Sequence, residues 1–219
     1  MRIQQVSVNG EDFIGLFGIA TDNYLILSGN FPKVVPLRVP LMKTSIYGTS
    51  LVGMFCAGNS NGLLLPYFIT DYDVHRIENF FRKHKLDIQV EKLMDNYTAI
   101  GNLISCNDNA AIVSPLLSDT DIIKETLDVK VKKITIAGHN EVGACCVATN
   151  KGFLLHPDGK ENLKRISKIL KVEGTTGTVN LGFPFVRSGI IANSKGYITG
   201  RGTTGIEIGR IDEALGFLE

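Results

Sequence analysis

Ile19-Ala-Thr-Asp-Asn-Tyr24-Leu-Ile-Leu27 reads as an apolar strand, a short polar turn and a second apolar strand. The phrase returns as Ala57-Gly-Asn-Ser-Asn-Gly62-Leu-Leu-Leu65, Ser105-Cys-Asn-Asp-Asn-Ala110-Ala-Ile-Val113, Ala148-Thr-Asn-Lys-Gly152-Phe-Leu-Leu155 and Ala192-Asn-Ser-Lys-Gly196-Tyr-Ile198. Aligned on the turn, the anchors are residues 24, 62, 110, 152 and 196, giving steps of 38, 48, 42 and 44 residues. A period in this range signals a repeat architecture. It directs the functional question to the faces of a ring rather than to a single cleft.

More than a hairpin repeats. Thr70 or Asp71 can cap a helix running to His84, because Val74, Ile77, Phe80 and Phe81 fall at helical spacing. Leu86–Leu93 then alternates like a half-buried strand. Ser118–Leu127 and Val129–Ile134 copy that order, as do Asp158–Leu170 and the strand that begins at Leu170–Val172. The unit is therefore strand, strand, helix, strand. In the first repeat Pro32, Pro36 and Pro40 disfavour a normal helix. The fifth has a hairpin and a short helical segment at Arg210–Phe217 but lacks its last strand, while a spare strand at 2–8 precedes the first. The expected fold is a five-fold pseudosymmetric α/β propeller in which the N-terminal strand closes the last repeat and removes exposed sheet edges. The expected organisation is a single domain with repeats at about 9–50, 51–95, 96–140, 141–184 and 185–219, the last completed by 2–8.

Composition limits the partners. The formal net charge is +1 and the pI about 7.7, so phosphate neutralisation by a bulk basic excess does not drive binding. Cys56, Cys106, Cys145 and Cys146 form no C-x-x-C pair, lie in apolar stretches and read as buried small hydrophobes. With no secretory pattern at the N-terminus and no ~20-residue apolar run, the cytoplasm is the default expectation for its location.

Catalytic constellations are weak. Gly200-Arg-Gly-Thr-Thr-Gly205 matches the dinucleotide fingerprint, but no acid lies about 20 residues further on, and the glycines read as tight turns. His75, His84, His139 and His156 lack metal-ligand spacing, so no metal or cofactor is expected. Asp71, Asp73, Asp119 and Asp121 sit at helix starts, where capping explains them. A Cys nucleophile assembled with distant His and acid partners stays open as an alternative. The turn asparagines suit hairpin turns that tolerate left-handed backbone. Asn102 differs. It follows Gly101 at a predicted strand start whose counterparts are Leu16, Met54, Ala144 and Ile190, and a polar side chain at an otherwise apolar ring position points to a contact surface.

Thr44-Ser-Ile-Tyr-Gly-Thr-Ser50, Gly58-Asn-Ser-Asn-Gly62-Leu-Leu-Leu-Pro66, Gly101-Asn102 leading into Cys106–Pro115, and Gly177-Thr-Val-Asn180 followed by Gly182 carry a resemblance over essentially the whole chain. The sequence resembles the archaeal translation initiation factor 6 family, counterparts of the eukaryotic ribosome anti-association factor. The resemblance implies a pentein fold and a non-enzymatic, monomeric protein. It implies binding to the large ribosomal subunit near the sarcin–ricin loop of rRNA, against ribosomal protein uL14 and its neighbours, so that the small subunit is sterically excluded. The ribosome-binding positions it implies are Asn102 with Gly101, Met54 and Ala144 around it, and Leu215 and Phe217 in the C-terminal segment 215–219. Met54 stands where eukaryotic members carry a basic residue, a departure from the pattern. The same fold also houses guanidine-modifying hydrolases, whose nucleophilic Cys comes late in the chain. Here the last cysteine is Cys146.

Overall fold

The computed structural model describes residues 2–218. Five three-stranded sheets follow one another along the chain. The first holds Gly18–Ala20, Leu25–Ser28 and Leu41–Thr44; the second Ala57–Gly58, Gly62–Pro66 and Gln89–Leu93. The third holds Ile104–Cys106, Ala110–Val113 and Lys130–Lys133; the fourth Cys146–Ala148, Phe153–Leu155 and Gly174–Thr176. The fifth pairs Ile190–Asn193 and Gly196–Gly200 with the N-terminal strand Ile3–Val6, so the spare strand does complete the last sheet. In every sheet the middle strand is antiparallel to the hairpin partner before it and parallel to the outer strand, for example Leu25 opposite Leu41 and Tyr197 opposite Ile3.

The middle strands are mostly apolar because both of their faces are buried, Ser28 and Thr199 being their buried polar residues. Successive side chains point to opposite faces. Leu63 and Leu65 therefore pack in a cluster with Ile26 and Phe81 from one side, while Leu64 joins Ala111, Val113 and Leu127 on the other. Five such clusters exist, one at each seam between consecutive sheets, and the fifth joins Ile191 and Ile198 to Val6, Leu25 and Leu27. The packing thus runs in a cycle.

The helices Asp71–Lys83, Asp121–Leu127, Leu163–Leu170 and Gly205–Ala214 fill four of these seams with Ile77 and Phe81, Ile123 and Leu127, Ile166 and Leu170, and Ile211 and Ala214. The proline-rich segment of the first repeat has no helix; buried Phe31 and Leu37 fill the remaining seam. Two helix starts differ from expectation. Asp119 is the capping acid for Asp121–Leu127, its Oδ1 accepting from Asp121 N and Ile122 N. The last helix begins at Gly205, not Arg210, because Thr204 and Glu207 form a reciprocal capping box.

Candidate functional site

Strand directions divide the molecule into two ends. At one end lie the hairpin turns, and there the asparagines do more than turn the chain. None is left-handed. Asn107 Oδ1 accepts from Asn109 N and Ala110 N, while its Nδ2 donates to Thr149 O at 3.1 Å in the next repeat and to Leu170 O at 2.9 Å at that repeat's helix end. Asn59 bonds Asn107 O and Leu127 O in the same way, and Asn193 bonds Thr21 O and Leu37 O. Where the turn carries Thr21 or Thr149, the hydroxyl accepts only within its own turn and the clamp is missing. Asn150 Nδ2 spans the axis between Asp22 and Asp108.

At the other end each repeat opens with one helical turn: Ile14–Phe17, Val52–Phe55, Ile100–Leu103, Val142–Cys145 and Val186–Gly189. Asn102 therefore lies in a helical turn rather than at a strand start. These turns touch in cyclic order, the last contacting the first. Their second residues are Gly15, Gly53, Gly101 and Gly143, packed backbone to backbone; a Cβ on Gly101 would stand 2.1 Å from Gly53 O. Gly101 is thus a buried packing position. The fifth copy breaks the pattern. Its second residue is Arg187, so the counterpart of Asn102 is Ser188, not Ile190. Glycine 189 imitates the opening glycine in sequence but sits two residues later.

Arg187 turns its guanidinium into the axis, where Nη2 donates to Cys56 O at 3.4 Å. Burial pushes its pKa down, the thiols of Cys106, Cys146 and Cys56 pulling the other way. All five sheets line two axial cavities of about 20 and 30 Å³. Each has room for one or two waters. Burial pushes Cys56, Cys106, Cys145 and Cys146 up to about 12, so all four are neutral thiols near pH 7. His156 is buried against His139 and Phe185, and burial lowers its pKa. Among the described residues no three His, Cys, Asp or Glu side chains converge as metal ligands. The dinucleotide-like glycines are occupied from within. Gly202 N donates to Asp12 Oδ2, and buried Glu207 accepts from Thr204 N, Leu181 N and Gly182 N.

The third residues of the helical turns, Leu16, Met54, Asn102, Ala144 and Ser188, are half-buried around the axis. The Asn102 side-chain amide has no hydrogen-bond partner among the described residues, unlike the clamping asparagines. Around this ring stand four tight turns: Val8–Glu11, Ile46–Thr49, Ile136–His139 and Val179–Phe183. Their tips are left-handed, with φ of 50° at Tyr47 and 64° at Leu181. Leu181 is 79% exposed. Among the described residues, Tyr47, Tyr67, Tyr72, Met94, Tyr97, Leu181 and Ile206 are the large apolar side chains exposed at this end, against Val35, Leu41 and Leu218 at the opposite end. Sequence reading missed the tips, although Asn9-Gly10, Tyr47-Gly48 and Ala137-Gly138 mark tight turns. Leu215 and Phe217 belong elsewhere. They are 0% and 7% exposed in the seam between the fourth and fifth sheets, as apolar residues closing a helix end. Glu219 of the same segment lies outside the described residues.

This is a five-repeat α/β protein with water-sized axial cavities and most of the exposed large apolar side chains among its described residues at one end. A sequence profile described as the eIF-6 family matches residues 3–214. Translation initiation factor 6 of Pyrococcus horikoshii is 38% identical over 227 residues, covering 100% of both chains. The Saccharolobus islandicus protein of that name is 38% identical over 99% of this chain and 100% of its own, and the Methanosarcina mazei one 37% over the same shares. The chain belongs to the eIF-6 family, a family of translation initiation factors.

Proposed function

We propose that this protein binds the large ribosomal subunit through its short-helix end and sterically keeps the small subunit away, during initiation or subunit maturation. The observation that carries this reading is Asn102, an unpartnered amide set in a ring of half-buried residues and surrounded by the protruding apolar tips. Interfaces concentrate apolar and aromatic anchors and place a few polar groups among them. The surface comprises Asn102, Met54, Ala144 and Ser188 with the tips Tyr47 and Leu181. The partners are uL14, its neighbouring ribosomal proteins and the sarcin–ricin loop. The fold is a closed pentein ring forming one domain, and the protein acts as a cytoplasmic monomer without catalysis. Against the guanidine-hydrolase alternative stand the water-sized axial cavities, the neutral thiols and Arg187, whose own guanidinium occupies the axis.

Co-sedimentation with purified large subunits tests the reading. The wild-type chain should pellet with them at low micromolar concentration, and Asn102→Arg should pellet less while keeping its melting temperature. Absence of wild-type binding, or equal binding by the variant, would overturn it.

A further inference from the structure

The outer strand Lys130–Lys133 of the third sheet faces the helix Leu163–Leu170 across a lateral cleft of about 460 Å³. Lys130, Lys132, Arg165, Lys168 and Lys171 line it, over a floor of Ala110 and Ile169, with no Asp or Glu in the wall. Among the described residues none of these five cations has a carboxylate within ion-pair distance. The repeat supplies its own controls. The equivalent outer strands carry one Lys (Leu41–Thr44), one Lys with one Glu (Gln89–Leu93), and no charge in Gly174–Thr176 or Ile3–Val6. The helices Asp71–Lys83, Asp121–Leu127 and Gly205–Ala214 mix both signs, whereas Leu163–Leu170 has cations only. The whole chain has a formal net charge of only +1, so the remainder is acidic on balance.

Two ordinary explanations fall short. Lysines on an outer strand guard an edge against aggregation, but that does not call for cations on the helix opposite. The helix dipole favours Lys168 and Lys171 near the C-terminal end, but not lysines on the facing strand. Like charges converging on one cleft repel each other, and a bound anion relieves that repulsion. Lys130 and Lys132 are two residues apart on one face of the strand, about 6.6 Å along it, so the positive charge is drawn out in a line.

We infer that this cleft binds the phosphodiester backbone of single-stranded or loop RNA, independently of base sequence and separately from the short-helix end. Long flexible cations without a directed base-reading group make phosphate contacts, which position rather than specify. The cleft holds no aromatic platform, so affinity comes from charge and is steeply salt-dependent. The inference does not rest on the large-subunit reading, since it concerns different residues on a different side of the molecule.

Fluorescence anisotropy with a labelled single-stranded RNA of about 12 nucleotides and mixed sequence tests it. The wild type should bind, with log affinity falling against log salt at a slope of about −3.5 for five phosphate contacts. Lys132→Glu with Arg165→Glu should weaken binding about tenfold or more at low salt and make the slope shallower by about 1.4. The milder pair Lys132→Gln with Arg165→Gln should do the same to a lesser degree, which guards against a folding effect of charge reversal. Arg82→Glu with Lys83→Glu, an equal charge change on a different helix, should leave the slope unchanged. No binding by the wild type, or equal losses in the two charge-reversed pairs, would overturn the inference. Tighter binding of a polyglutamate peptide of equal length would overturn it in favour of an acidic protein partner.

Discussion

Asn107 is 4% exposed and satisfies four backbone groups with one amide, two in its own turn and two across the seam. Cutting it back to Ala leaves Thr149 O without that donor and Asn109 N and Ala110 N without that acceptor, while Leu170 O keeps Asn109 Nδ2; each buried group left unmet costs about 1–3 kcal/mol. Asn107→Ala should therefore lower stability by about 2–4 kcal/mol in a urea titration. Asn107→Thr should lose about half of that, because Thr21 and Thr149 show that a hydroxyl there still caps its own turn. Equal losses would mean that the seam bonds contribute nothing. Glu207 acts on the same scale. Burial raises its pKa, but hydrogen bonds from Thr204, Gly182 and Thr178 outweigh this and hold it below the usual carboxylate value. A depressed folded pKa gives stability that is present above the unfolded value, about 4.3, and lost as pH falls through the folded one. Glu207→Gln should thus reduce the melting temperature at pH 7 and flatten its decline below pH ~4.5. An unchanged acid slope would place the stabilising charge elsewhere.

At the level of the element, the tight turns set strain against exposure. Leu181 holds φ of 64°, a conformation that costs an L-residue about 1 kcal/mol or more, and the exposed side chain recovers little of this by packing. Leu181→Gly removes both the strain and the apolar tip. Its melting temperature should stay level or rise, a gain of up to about 1 kcal/mol, while binding to large subunits weakens. A stabilised variant that binds like wild type would show that the tip is not a contact. The elements were unevenly legible in the sequence. Middle strands such as Leu63–Leu65 stood out because burial on both faces leaves an unbroken apolar run. The helix at 71–83 stood out because Thr70 caps it and its buried residues keep the helical period. The start of the last helix was hidden, since Gly205 and Gly209 disguise a segment that the Thr204–Glu207 capping box makes helical. The fifth helical turn was misaligned because Gly189 resembles the opening glycine while Arg187 holds its place. Leu215 and Phe217 looked available as a terminal segment, but their burial depends on a seam that brings in residues as distant as Val147 and Leu154 together with Tyr197.

Over the whole molecule, five apolar seams join the sheets in a cycle, four filled by a helix and one by the proline-rich segment, and the two ends of that cycle differ. Clamping asparagines use all of their hydrogen-bonding capacity at the hairpin end. At the short-helix end Asn102 keeps its amide free among exposed apolar tips. The account stands on that asymmetry, because a fold that only needed to be stable would have no reason to leave the Asn102 amide and the Tyr47 and Leu181 tips uncovered on one side. Sucrose-gradient analysis of large and small ribosomal subunits under joining conditions tests this most directly. Wild-type protein should shift joined ribosomes to free subunits in proportion to its binding, and folded Asn102→Arg should leave them joined. Joined ribosomes unaffected by the wild type, or separated equally well by the variant, would contradict the account.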